Sequence, residues 1–167
     1  MSQGSEPRRV AVGSDMRHPV ADGIADTLEQ KGCTVVRCGA VSASNTPWPD
    51  VAEQVARLVA TAAVDDGIVC CWTGTGVSIA ANKVPGVRAA LCGDAETARG
   101  ARRWNDANVL ALSLRATSAA VAEEIVDTWL STRDVDATEQ DNIDRVGQIE
   151  RRYRERAVAQ QAGHAVE

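Results

Sequence analysis

Between Gly67 and Lys83 an apolar run, Ile68-Val69-Cys70-Cys71, meets the turn Thr73-Gly74-Thr75-Gly76 and continues as Val77-Ser78-Ile79-Ala80-Ala81-Asn82-Lys83. A short apolar run that breaks at glycines and resumes with helical chemistry reads as a buried parallel strand, a tight turn and a helix start. Such a unit belongs in a sheet covered on both faces. It sets the thiol of Cys71 at the carboxyl end of a strand, beside backbone N–H groups of a helix start, which is a place for chemistry on an anion.

The rest of the chain repeats the alternation. Val10–Ser14 is a strand, Asp15–Pro19 a loop, and Val20–Lys31 an amphipathic helix with Gly32 as its stop. Thr34–Cys38 is the next strand and Ser42–Pro49 a Ser/Asn/Pro-rich loop. Asp50 is expected to cap a helix whose apolar positions are Val51, Val55, Leu58 and Val59. After the Gly67–Lys83 unit come a fourth strand at Val87–Cys92, a helix at Ala95–Arg103, a fifth strand at Val109–Ser113 and a helix at Ser118–Leu130. Strand and helix in strict alternation predict one α/β domain with about five parallel strands between two helical layers. A polar linker, Ser131–Thr138, leads to a last helix within Glu139–Tyr153 whose Ile143, Val146 and Ile149 share a face; a helix appended in this way is expected to dock on a second subunit. The domain is expected to span residues 9–156, with disorder over 1–8 and a frayed tail over 157–167.

Composition narrows the function classes. With 3% aromatic residues and no Phe, the core is built from Ala and Val, which suits close packing of helices on a sheet. A net charge of −5 without a basic stripe argues against nucleic acid and anionic membranes as partners. The run Arg151-Arg152-Tyr153-Arg154-Glu155-Arg156 reads as a solvated helix face. Five cysteines, odd in number and without a CxxC pair, indicate reduced thiols in a cytoplasmic protein, with neither a disulfide framework nor a zinc site. The polar start lacks an apolar signal core, and no run approaches the length of a membrane span.

Read alone, Cys71 in an apolar strand is an inert core thiol; its place just before the glycine turn favours a role in a site. Its neighbour Cys70 points to the opposite face by the period of two, and Cys33, Cys38 and Cys92 are structural. Asp15, at the end of the first strand, is either a helix cap or a ligand contact; ligands of open α/β sheets lie at that edge. Arg115 follows the fifth strand and is a ligand candidate, whereas Arg145, on the last helix, is balanced against a surface ion pair. His18 stands near the first strand's end, as a solvated loop residue or an acid–base group. Trp48 reaches the site or braces its loop, and Trp129 is core.

Several ordered motifs carry a resemblance: Gly13-Ser14-Asp15, Pro49-Asp50, Cys71 with Thr73-Gly74 and Gly76, the run Ser78–Lys83, Arg88-Ala89-Ala90-Leu91, Ala98-Arg99, Asn105–Ala111 and Asp127–Leu130. From about Val10 to Ile149 the chain resembles the type B ribose-5-phosphate isomerases and their galactose-6-phosphate isomerase relatives. The resemblance implies a Rossmann-like three-layer fold and a homodimer or dimer of dimers with sites shared between subunits. It further implies no metal or cofactor, and aldose–ketose interconversion of a sugar or sugar phosphate through an enediolate. By position Cys71 is the base, a role open to thiols, which titrate at about 8.5 and are drawn down by a helix N-terminus. Thr73 bonds the substrate, and the loop Gly74, Gly76, Val77, Ser78 offers N–H groups to the developing oxyanion. Asp15 holds a hydroxyl, Asn105 contributes to substrate binding, and Arg115 and Arg145 take the phosphate from different subunits.

The departures from the family pattern bear on specificity. Met16 and Trp104 stand where the family has histidines, the latter the ring-opening one; Trp72 replaces a glycine, and Asp141 falls where one carboxy-terminal arginine is expected. Trp72 and Trp104 are expected to line the pocket together as a stacking wall. These changes predict a specificity altered from ribose 5-phosphate, toward an open-chain or unusual sugar, an epimerisation included. The alternative is a non-catalytic partner subunit or carbohydrate-binding module of the same fold.

Overall fold

The computed structural model describes residues 6–164. Its sheet holds β1 (Arg9–Ser14), β2 (Thr34–Gly39), β3 (Asp66–Cys71), β4 (Ala89–Leu91) and β5 (Val109–Ser113), all parallel, in the order β2-β1-β3-β5-β4. The helices are α1 (Pro19–Gln30), α2 (Trp48–Ala60), α3 (Thr75–Ala81), α4 (Ala95–Asn105), α5 (Ala119–Ser131) and α6 (Gln140–His164). The five-stranded parallel architecture is the one the alternation predicts, and its Rossmann-like character is what the resemblance implies.

Two cores lie on the two faces of the sheet. On one, α1, α4 and α5 bury Ile24, Leu28, Ala98, Ile125 and Trp129 against Val10, Val12, Ile68, Cys70, Leu110 and Leu112. On the other, α2 and α3 bury Val55, Ala56, Val77 and Ala81 against Ala11, Val69, Cys71, Val109 and Ala111. Cys70 and Cys71 therefore take opposite faces, as the strand period requires. All five cysteines are free thiols.

The amino edge of the sheet is tied by a buried ion cluster. Asp66, fully buried at the start of β3, pairs with Arg8 and with Arg102 Nη1 at 3.2 Å. Arg102 also donates to the carbonyls of Ala107 at 2.7 Å and Thr132 at 3.1 Å, and its guanidinium lies 4.9 Å from the centre of the Trp129 ring. Paired and hydrogen-bonded in this way, the charges fasten β3, α4 and the end of α5 to one another.

Several boundaries differ from the sequence expectation. Arg8 is fixed by Asp66 and by its carbonyl's bond from Thr34 N, so the expected disorder of 1–8 fails there; residues 1–5 lie outside the described range. α2 starts at Trp48, with Pro47 at its cap and Asp50 inside the first turn. Pro49 fits that turn because its fixed φ is helical and its missing N–H has no acceptor to lose. β4 is three residues long, not six, since Arg88 N goes to the Asn108 side chain and leaves the ladder at this sheet edge. α6 continues to His164, so residues 157–164 are helical where fraying was expected; Ala157 and its alanine- and glutamine-rich successors are good helix formers. Residues 165–167 of that tail lie outside the described range.

Candidate active site

At the carboxyl edge the last residues of β1, β3 and β5 stand side by side: Ser14 is in register with Cys70, and Cys71 with Ser113. Asp15, Cys71 and Arg115 are brought together here by three neighbouring strands. Ser14 Oγ donates to Met16 O at 2.8 Å and accepts from Met16 N, which folds the loop back and fixes Asp15 at its apex. His18 is the N-cap of α1, its Nδ1 accepting from Val20 N at 3.2 Å, so one ring nitrogen of this acid–base candidate is already committed to the helix start.

Cys71 is almost fully buried, and its Sγ accepts the N–H of Gly74 at 3.2 Å. The turn that makes this bond requires glycine. Gly74 has φ +75°, and a Cβ there would stand 2.8 Å from the Leu112 carbonyl carbon and 2.5 Å from Leu91 Cδ1. Ser78 N donates to Gly74 O at 3.2 Å, closing the first turn of α3. The expectation that Gly74 and Ser78 give their N–H groups to substrate is therefore corrected: one is held by sulfur, the other by the helix. The first-turn amides of Thr75, Gly76 and Val77 are the ones without an intrahelical acceptor, while the Val77 side chain is in the core. Thr73 Oγ1 shares a 2.7 Å hydrogen bond with Thr75 Oγ1 across the turn, and both residues are exposed.

Trp48, at the start of α2, lies flat against this loop: a Cβ on Gly76 would be 3.1 Å from Trp48 Cε3. Sequence reasoning left Trp48 between two roles; the structure gives it the bracing one.

Trp104 and Asn105 lie elsewhere. They end α4, at the amino edge, separated from Cys71 by the length of β5, about 13 Å from Val109 to Ser113. Trp104 is 55% exposed and folds over Gly100 of its own helix; Trp72 is 53% exposed at the carboxyl edge, its carbonyl accepting from Arg115 N and Ser113 Oγ. The expected joint wall of two indoles is thus absent within one chain. Trp104 and Asn105 instead line a groove of about 1300 Å³ with Lys83, Arg88 and the Ile143–Tyr153 face of α6. Arg145 and Asp141 are exposed on that helix, away from Cys71 in the same chain.

Two motif asparagines prove to be structural. Asn82 takes Ala89 N at 2.8 Å and donates to Ser78 O and Ala89 O, joining α3 to β4; Asn108 takes Arg88 N and donates to Gly86 O.

The ribose/galactose isomerase family model matches residues 10–149, nearly the whole domain. The chain belongs to this family. It is 37% identical over 150 residues to ribose-5-phosphate isomerase B of Escherichia coli, covering 87% of this chain and 98% of that one. It is 35% identical over 143 residues to D-erythrulose-4-phosphate isomerase of Pectobacterium atrosepticum, covering 84% and 94%. The Clostridium thermocellum ribose-5-phosphate isomerase B structure superposes with a TM-score of 0.81 at 39% identity, over 87% of this chain and 99% of that one. Within the ribose/galactose isomerase family, then, the chain's cysteine, glycine turn and short helix form a cradle at the carboxyl edge, suited to removing a proton and holding the negative charge that results.

Proposed function

We propose that the chain is an aldose–ketose isomerase of sugar phosphates that takes substrates which stay open-chain, a four-carbon sugar 4-phosphate being the simplest. The observation that carries the reading is Cys71 Sγ at the turn, bonded to Gly74 N and followed by three amides without intrahelical acceptors. Cys71 removes a proton from the carbon beside the carbonyl, and the resulting enediolate oxygen is held by the amides of Thr75, Gly76 and Val77. The reaction moves hydrogen within one molecule, so it is redox-balanced without an external hydride carrier.

The open-chain preference follows from what a ring requires. A cyclic aldose must be protonated at the ring oxygen and deprotonated at O1 before its carbonyl exists. The sequence has two histidines; His18 caps α1, and His164 lies at the end of α6. In a tetrose 4-phosphate the phosphate blocks O4, so neither aldose nor ketose closes to a five-membered ring and no opening step is needed. The relative that acts on D-erythrulose 4-phosphate supports this substrate class.

The active unit is a homodimer, in which Trp104, Asn105 and Arg145 of one chain complete the carboxyl edge of the other. Support comes from the exposed apolar stripe of α6, Val146, Ile149 and Tyr153, and from the separation of these residues from Cys71 in one chain. Arg115 and the second chain's α6 then bracket the phosphate. Five free thiols fit a reducing cytoplasm. Among the described residues no helix is long and apolar enough to cross a membrane.

A panel of erythrose 4-phosphate, erythrulose 4-phosphate, ribose 5-phosphate and galactose 6-phosphate tests the reading. Tetrose phosphates are expected to give the highest kcat/KM, and a higher value for ribose 5-phosphate would overturn the preference.

A further inference from the structure

An aldose–ketose isomerase must move two protons. One leaves carbon; the other passes between the two oxygens, because the hydroxyl that starts on O1 of the ketose ends on O2 of the aldose. Cys71 accounts for the carbon proton. From the geometry of the carboxyl edge we infer that Asp15 is the second acid–base group, carrying the hydroxyl proton between O1 and O2. The inference rests on the isomerase reading, with Cys71 as the base.

Three observations carry it. Asp15 directly follows Ser14, the last residue of β1 and the register partner of Cys70, so it leaves the carboxyl edge next to the strand that ends at Cys71. Its Oδ1 is buried and has no hydrogen-bond partner, an arrangement that costs free energy unless a ligand completes it. Of the neighbouring groups that could exchange a proton, Ser14 Oγ is engaged with Met16 O, Thr73 Oγ1 with Thr75 Oγ1, and the His18 ring as a helix cap, while Arg115 stays charged and has no proton to pass between oxygens. Burial also raises the Asp15 carboxyl above its ordinary value, against a lowering by its own backbone N–H, which brings it nearer to exchanging a proton at neutral pH.

The steps balance. Starting from the ketose, the Cys71 thiolate takes a proton from C1; the C–H pair becomes the C1=C2 double bond, and the carbonyl π pair moves to O2. Asp15 takes the proton from O1 and delivers one to O2. The O1 pair then forms the aldehyde, and the C1=C2 pair takes the proton from Cys71 sulfur at C2. No proton is gained or lost, and both side chains return to their starting forms.

The test uses D-erythrulose 4-phosphate in deuterium oxide, followed by proton NMR. It compares deuterium exchange at C1, which reports the carbon proton, with formation of the aldose, which needs both. In Asp15→Asn, aldose formation is expected to fall by about 10²–10⁴-fold while C1 exchange stays within about tenfold of the parent, the usual range for losing one acid–base group. Asp15→Glu, which keeps the carboxyl, is expected to hold the ratio of exchange to isomerisation near the parental one. Asp15→Ser is measured beside them, so that a folded variant lacking the carboxyl is in hand if Asp15→Asn does not fold. If exchange and isomerisation fall by the same factor in the folded variant, Asp15 only binds substrate and the inference is overturned. If neither C1 exchange nor aldose formation occurs even in the parent with any sugar phosphate, the isomerase reading itself is what fails.

Discussion

Cys71 Sγ accepts the N–H of Gly74 at 3.2 Å, so the sulfur is bonded to the same turn that opens the first helical turn of α3. The bond exists because residue 74 lies in the left-handed region at φ +75°, close against the Leu112 backbone. Gly74→Ala places a Cβ into both constraints. The backbone penalty alone is about 1–2 kcal/mol, before the collision with Leu112 is counted. Urea unfolding is expected to report at least that loss, with kcat falling as the turn shifts.

The two adjacent cysteines should differ in chemistry. Burial pushes the Cys70 and Cys92 thiols up to about 12 and Cys38 to about 11, which removes their thiolate at neutral pH. Iodoacetamide at pH 8 is therefore expected to label Cys71 before Cys38, Cys70 and Cys92, with half-buried Cys33 as an internal comparison. D-Erythrulose 4-phosphate is expected to slow labelling at Cys71 alone. Peptide mass spectrometry reads both results; equal labelling of Cys70 and Cys71 contradicts the opposite-face assignment.

Removing Asp66 tests the amino-edge cluster. Asp66→Ala leaves Arg8 and Arg102, each mostly buried, without their carboxylate, and breaking such a pair costs about 3–5 kcal/mol. Replacing Arg102 as well, with Met, is expected to recover part of that loss. Thermal unfolding of the single and double variants measures it.

The alternation of strands and helices, the two faces of Cys70 and Cys71 and the glycine turn were legible because each is set by residues a few positions apart. The shortness of β4 was not, since Arg88 N is withdrawn from the ladder by Asn108, a residue 20 positions away. The α2 start was misread by giving Asp50 the cap and carrying the preceding loop through Pro49, when the helix begins at Trp48. The larger limit concerned the site. Trp104 and Asn105 belong to the same motif set as Cys71, but sequence carries no signal of strand order, and hence none of which sheet edge a helix end reaches. The order β2-β1-β3-β5-β4, with α4 ending where β5 begins, puts them at the far edge.

That separation is itself testable. A Cys71→Ala chain and an Asn105→Ala chain, each inactive alone, are expected to regain about a quarter of parental activity when mixed in equal amounts and exchanged, because half of the dimers are then heterodimers and one of the two sites in each carries neither lesion. Val146→Glu with Ile149→Glu in α6 is expected to give a folded monomer with at most about a hundredth of parental activity, read by light scattering and circular dichroism. Absence of complementation between stable, exchanging chains contradicts a shared site.

The central claim is that Cys71 moves a carbon-bound proton. Incubation of D-erythrulose 4-phosphate in deuterium oxide with the parent chain is predicted to give deuterium at C1 and aldose product, and Cys71→Ala to give neither while its circular dichroism and cooperative unfolding show that it remains folded. Undiminished deuterium incorporation by folded Cys71→Ala would contradict the account.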